Sequence, residues 1–135
     1  MGAQKGKDLL VKIYDGSNFI TIAGMRTRKI AFNAETVDIT HAESSGRWRE
    51  LLAGAGIKRA SLSGRGIFKD AASDERMRQI FFDGELATCQ IIIPDFGTLE
   101  GAFQISSIEF SGEHNGEVTF DMSLESAGAI SFVAA

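Results

Sequence analysis

Two histidines, one cysteine and eighteen carboxylates are the side chains through which this sequence could do acid–base, nucleophilic or metal chemistry. A nucleophilic site needs a serine or cysteine, a base within reach and a third group to orient that base. The two histidines, His41 and His114, each stand in turn-rich stretches and read as solvated surface side chains. The nucleophile-elbow spacing G-x-S-x-G is absent, since Ser61-Leu62-Ser63-Gly64 lacks its first glycine. Cys89 sits inside the apolar run Leu86–Ile93, so it reads as a buried, inert thiol, and a lone cysteine forms no internal disulfide. Glu117, Asp121 and Glu125 share one face of an alternating stretch. Their four-residue spacing sets neighbours roughly 13 Å apart along a strand, too far to grip one ion. Gly54-Ala55-Gly56-Ile57-Lys58-Arg59 lacks the Walker spacing, and Gly64-Arg65-Gly66 lacks the third glycine of a dinucleotide fingerprint. No aromatic residues interleave with Lys58, Arg59 and Arg65 to make a single-strand nucleic-acid reader. The residues imply no catalytic centre, no metal and no cofactor.

The elements that would carry any other function are mostly strands. Leu9, Val11 and Ile13 alternate with Leu10, Lys12 and Tyr14, Asp15-Gly16 offers a hairpin turn, and Phe19–Ala23 answers as a second strand. Alternation returns around Ile30 and Phe32 and around Val37 and Ile39, and Ile57–Phe68 reads as a long strand. Gly64 and Gly66 inside it predict a bend, a bulge or a close backbone approach. One helix is predicted over Ser73–Phe82, with Ser73 as its cap, Asp74 and Glu75 at its positive end and Gly84 as its stop. Leu86–Ile93 and Leu99–Phe110 follow. In the second of these the apolar parity switches between Phe103/Ile105 and Ile108/Phe110, which predicts a β-bulge. Asn115-Gly116 is a hairpin signal before Glu117–Glu125, whose residues Val118, Phe120, Met122 and Leu124 should face inward. Ile130, Phe132 and Val133 suggest a last edge strand. The fold class is therefore mainly β with one α-helix, an antiparallel sandwich or barrel.

The 135 residues suit a single domain, 1–135, and 44% hydrophobic content with fifteen glycines suits many short strands around one core. The first six residues lack an apolar leader core, and no apolar run approaches the length of a membrane span, so a cytoplasmic, unlipidated, non-membrane product is expected. The charge is split along the chain. Residues 1–78 carry fourteen bases against nine acids, a net of +5, while residues 79–135 carry nine acids and no base. Either the halves pair and cancel locally, or they make unlike faces suited to head-to-tail association. The segment His41–Gly56 breaks the strand pattern, with turn residues leading into Arg47-Trp48-Arg49-Glu50-Leu51-Leu52. A connection of this length in a compact domain tends to be functional or mobile.

Several stretches, in order, resemble one family. They are "QKGKDLLVKI" (Gln4–Ile13), Arg26-Thr27-Arg28 with "IAFNAETVDI" (Ile30–Ile39), "GRWRELLAG" (Gly46–Gly54), Phe81-Phe82, "IPDFGTLEGAFQI" (Ile93–Ile105) and "GEVTFDMSLESAGAI" (Gly116–Ile130). Together they resemble the phage major tail protein, or tail tube protein, of long-tailed siphophages and of phage-derived particles such as gene transfer agents. The resemblance implies a β-sandwich subunit of the tail tube type that closes into six-membered rings. Stacked rings would form the conduit for DNA from capsid to host. It also implies tape-measure, tail-tip or baseplate and tail terminator proteins as partners, and a life in the bacterial cytoplasm followed by the tail of a released particle. Over these 135 residues no added immunoglobulin-like domain, of the kind some members carry, is expected.

Within that frame, residues 41–56 are the candidate inter-subunit loop, carried by Arg47, Trp48, Arg49, Glu50, Leu51 and Leu52. Trp48 would either anchor on a neighbouring subunit or cap its own core. Glu117, Thr119, Asp121, Ser123 and Glu125 are a candidate lumen-facing strip, because a wall poor in cations would let DNA phosphates slide past; the alternative is that they face the outer solvent. Two other readings stay open: a small-ligand-binding β-barrel, which requires a ligand-sized apolar pocket, and the tube subunit of a contractile secretion machine.

Overall fold

The computed structural model describes residues 9–112 and 114–134. Residues 1–8, which hold the start of the family-like opening, together with Glu113 and Ala135, lie outside the described residues. In chain order the elements are β1 (Leu10–Tyr14), β2 (Phe19–Thr21), β3 (Met25–Ala34), β4 (Val37–Asp38), β5 (Leu51–Leu52) and β6 (Lys58–Ile67). They continue with α1 (Ala72–Asp83), β7 (Ala87–Ile93), β8 (Gly97–Gly112), β9 (Val118–Ser126) and β10 (Ser131–Ala134). Eight strands form one antiparallel sheet in the order β2-β1-β7-β8-β9-β6-β3, with β10 added beside β8. The end strands β2 and β3 do not pair, so the barrel form of the expected fold is excluded and the sheet stays open.

The sixteen-residue β8 joins two halves. Its first part pairs β7 from Gly97 to Phe103 and carries β10 on the opposite edge from Gly97 to Glu100. Its second part, to Gly112, pairs β9. The switch in apolar parity has the expected cause: the register with β9 steps at Ser106, between Ile105 and Ser107. The Ser106 hydroxyl donates to the Ser123 carbonyl at 3.0 Å, which gives the extra residue of the bulge a partner. Before the bulge Leu99, Phe103 and Ile105 point to the core; after it Ser107 and Glu109 point away.

One core serves both halves. Val11, Ile13, Cys89 and Ile91 from β1 and β7 meet Leu62, Phe120, Met122 and Leu124 from β6 and β9, with Phe103 and Ile105 between them. α1 adds Met77 and Ile80, two steps of its narrow apolar stripe. Burial pushes the Cys89 thiol up to about 12, which fits the inert role read from its apolar run. Val118, expected inside, is 46% exposed because β9 begins there, past the edge of the core.

The helix start and residues 41–56 depart from expectation, while Gly66 shows one of the outcomes expected of it. The helix starts one residue earlier than predicted, and Ser73 is not its cap. Ala71 holds that position, with its N–H donating to Asp74 Oδ2 at 3.0 Å. Ser73 is buried and instead accepts the Ala23 N–H at 2.9 Å, tying the helix to the segment after β2. Gly66 marks a close approach: a Cβ there would stand 2.3 Å from the Gly24 carbonyl oxygen. Residues 41–56 are also less irregular than expected. β4 and β5 pair Val37 with Leu52 and Asp38 with Leu51, so Leu51 and Leu52 belong to a ribbon whose tip spans residues 39–50.

Candidate assembly surfaces

The second half of the molecule is a four-stranded sheet made of the distal part of β8, then β9, β6 and β3. One face is the core. On the other, the ladders set residues in rows because directly paired residues share a face. One row runs Thr27, Arg65, Asp121, Glu109; the next runs Lys29, Ser63, Ser123, Ser107; the next Ala31, Ser61, Glu125. The expected strip residues Thr119, Asp121, Ser123 and Glu125 therefore do share one polar face, while Glu117 stands just before β9. Sequence reasoning missed their neighbours on that face, above all Arg65, Lys29 and Glu109. Alternation within β6 and past the bulge in β8 was the signal for them, but only the cross-strand register brings them together.

That register places cations beside the acidic strip. Arg65 Nε lies 2.6 Å from Asp121 Oδ1, and the same contact holds the guanidinium above its ordinary value. Glu117 lies 3.6 Å from Arg26, and Glu125 accepts the Ser61 hydroxyl at 2.9 Å. The basic first half of the sequence, in β3 and β6, lies against the acidic second half, in β8 and β9. On this face the local-cancellation reading of the charge split prevails.

Both edges of this four-stranded sheet are bare. β3 pairs only with β6, and the β7 ladder ends at Phe103, leaving residues 104–112 of β8 unpaired on that side among the described residues. Open edges invite another strand.

From the end of the sheet where Ala34 pairs with Lys58, β4 and β5 extend as an arm. Its tip is organised by its own polar groups. The Ser44 hydroxyl donates to Glu50 Oε2 at 3.0 Å and accepts the His41 N–H at the same distance, and the Glu50 N–H donates to Thr40 Oγ1 at 2.7 Å. Thr40 in turn holds the Asp38 carboxyl below its usual range through hydrogen bonds from its side chain and its backbone N–H. The apolar side chains face away: Trp48 is 78% exposed, and Ile39, Leu51 and Leu52 are also exposed. Trp48 therefore does not cap its own core. Arg47, Arg49 and Glu50 lie beside it on the same tip.

A groove of about 440 Å³ lies at the root of the arm, lined by Phe32, Leu99, Ala129 and Ile130 together with Lys58 and Arg59. It lies open between strands rather than inside a closed barrel, which removes the premise of the ligand-barrel reading. Among the described residues no cluster of three metal-ligating side chains occurs, and no helix is long and apolar enough to cross a membrane.

The family model for phage tail tube proteins matches residues 3–132 of this sequence. Among solved structures, the chain is similar to a subunit from the tail of an empty gene transfer agent particle refined with C6 symmetry. The two are 58% identical, the match covers 98% of this chain and 100% of the other, and the TM-score is 0.94. A chain from the virion of a native gene transfer agent particle is 59% identical over the same shares, with a TM-score of 0.93. The SPP1 tail tube subunit is 15% identical, covers 97% of this chain and 79% of its own length, and has a TM-score of 0.74, a likeness of fold alone. No curated protein matches.

Proposed function

The chain belongs to the phage tail tube protein family, and from that premise we propose that six copies close edge to edge into a ring whose polar sheet faces line a DNA channel. It is a structural subunit of the tail tube of gene transfer agent and phage particles. The observation that carries the finer reading is the four-stranded sheet with a polar face and two bare edges. Pairing β3 of one copy with the distal part of β8 of the next would remove both edges through one heterologous contact. The C6 symmetry of the similar gene transfer agent tail favours six such contacts.

Magnitude supports a channel rather than a packed barrel. Six copies of a four-stranded sheet contribute twenty-four strands. At about 4.8 Å per strand these give a circumference of roughly 115 Å and a diameter of roughly 37 Å, before tilt widens it. Allowing about 5 Å of side chain on each wall leaves roughly 27 Å, enough for duplex DNA. The lining would be serines and threonines with charges of both signs, Arg65 paired to Asp121 and Lys29 and Glu109 on the same face. Such a wall offers phosphates few free cations, so each passing segment releases few counterions and is held weakly.

In this reading the arm reaches the next ring, and Trp48 is buried only in the stack. The chain acts as one domain without a catalytic step, assembles in the bacterial cytoplasm and leaves in the tail, beside tape-measure, tail-tip and terminator proteins. Electron microscopy of the purified protein across a concentration series, with and without added tail fragments as seeds, tests it. Six-fold rings or open tubes with a central channel are expected. A monomer at every concentration, seeded or not, would overturn the reading.

A further inference from the structure

The arm tip and the start of α1 lie at opposite ends of one strand. β6 leaves the arm at Lys58 and runs ten residues to Ile67, about 30 Å at 3.3 Å per residue. Phe68 and Asp70 follow, and the helix begins at Ala72. Here a cavity of about 290 Å³ is lined by Phe68, Phe110, Asp70, Asp74, Glu75 and Arg78.

Three carboxylates line this pocket with one guanidinium, that of Arg78, which lies 3.7 Å from Glu75. Asp74 is only 4% exposed. Its Oδ2 accepts the Ala71 N–H, but its Oδ1 is buried with no hydrogen-bond partner. A buried carboxylate oxygen without a donor is costly, and such orphans are rare enough to need a cause. Phe68 and Phe110 meet edge to face across the same pocket, with ring centroids 5.8 Å apart. Carboxylates beside aromatic rings suit a planar cation, which can donate to the oxygens and lie over a ring.

We propose that this pocket receives an arm-tip arginine, Arg47 foremost, from the copy in the adjacent ring. The proposal rests on the arm reaching that ring, as set out above. Arg47 is exposed and forms no ion pair among the described residues, whereas Arg49 already acts on Asp38. Head-to-tail stacking sets the arm end of one subunit against the far end of the next, which is the end that holds the pocket. Charge matches as well: two arginines flank Trp48 on the tip, and the pocket carries an excess of two carboxylates. Within one subunit the strand length between them keeps the two apart. The contact supplies Asp74 Oδ1 with its missing donor only when rings stack.

Seeded elongation with charge-reversed subunits tests this, with circular dichroism confirming that each variant is folded. The arm variant is Arg47→Glu with Arg49→Glu. The pocket variant is Asp74→Asn with Glu75→Lys, in which the amide keeps an acceptor for the Ala71 N–H. Each alone is expected to add at least tenfold fewer rings per seed than the unchanged chain. All four changes in one chain are expected to restore elongation to within a few-fold, because a reversed pair still attracts. Full-length growth of the pocket variant beside a stalled arm variant overturns the pocket while leaving the arm reading intact. Normal growth of the arm variant overturns both. Two stalled variants whose combination stays stalled also overturn the pairing.

Discussion

The sheet body and the arm direct their apolar side chains in opposite directions. In the body, Ile13, Ile91, Phe103 and Ile80 are sealed from solvent, and polar residues alternate outward. In the arm, polar groups turn inward upon one another, Ser44 to Glu50 and Thr40 to Asp38, while Trp48, Leu51 and Leu52 face water. A body built this way has a core of its own, although its outer edges at β3 and the distal part of β8 stay open. An arm built this way is shaped by its own hydrogen bonds but buries no core, so the free energy held in its apolar surface is released only against another molecule. Folding rests on the core of the body, and the arm adds surface that the core does not use.

The largest test of that separation is a cavity in the body. Phe103→Ala removes a fully buried ring at the point where the two halves of the sheet meet. The expected loss is about 3–5 kcal/mol, a large part of the roughly 5–15 kcal/mol that holds a domain folded. Cys89 reports on it. Its thiol is buried and its pKa raised to about 12, so a thiol reagent at about pH 8 should label the variant much faster than the unchanged chain, because only opened molecules expose the thiolate. Equal labelling rates, with equal melting temperatures, would show that the core does not depend on this junction.

Truncating the arm anchor should do the reverse. Trp48→Ala removes a side chain that touches little in the monomer, so its stability should move by no more than about 0.5 kcal/mol. Assembly should suffer far more, because a tryptophan centred in an interface commonly contributes about 2 kcal/mol or more. Melting curves of the monomer and counts of stacked rings per seed measure the two sides. A large fall in melting temperature would place Trp48 with the body after all. Unchanged stacking would take the arm out of the interface.

How much of this was legible beforehand depends on the range of the interaction. Alternation is local, so the strands of β1, β6 and β9 and the parity switch at Ser106 could be read along the chain. The helix was legible in position but not in its cap. Ser73 has the right residue type, and nothing local says that its hydroxyl is claimed by Ala23, fifty residues away. The loop around Trp48 stood out as a break in pattern. Whether the ring turned in or out depended on where the rest of the fold lay, and the exposed ring settled only the intramolecular half of that question. The polar strip was legible as a strip. Its neutral character was not, because Arg65 meets Asp121 through a ladder joining strands more than fifty residues apart.

That ion pair supplies the smallest and most selective test. Arg65 and Asp121 lie on the exposed face, where ion pairs contribute little to folding, so Asp121→Asn should leave the melting temperature nearly unchanged. Its effect should appear only in a tube. With its partner neutralised, Arg65 becomes a free cation, repeated six times in each ring of a six-fold assembly, and every phosphate it captures adds about 0.9 to the salt-dependence slope of DNA binding. Tubes of the variant should hold duplex DNA at low salt and release it as salt rises. Adding Arg65→Gln should abolish that retention. Retention by the double variant as well would mean that a different cation holds the DNA. No retention by either would mean that this face does not line the channel, and the lumen would then have to be sought on another surface of the subunit.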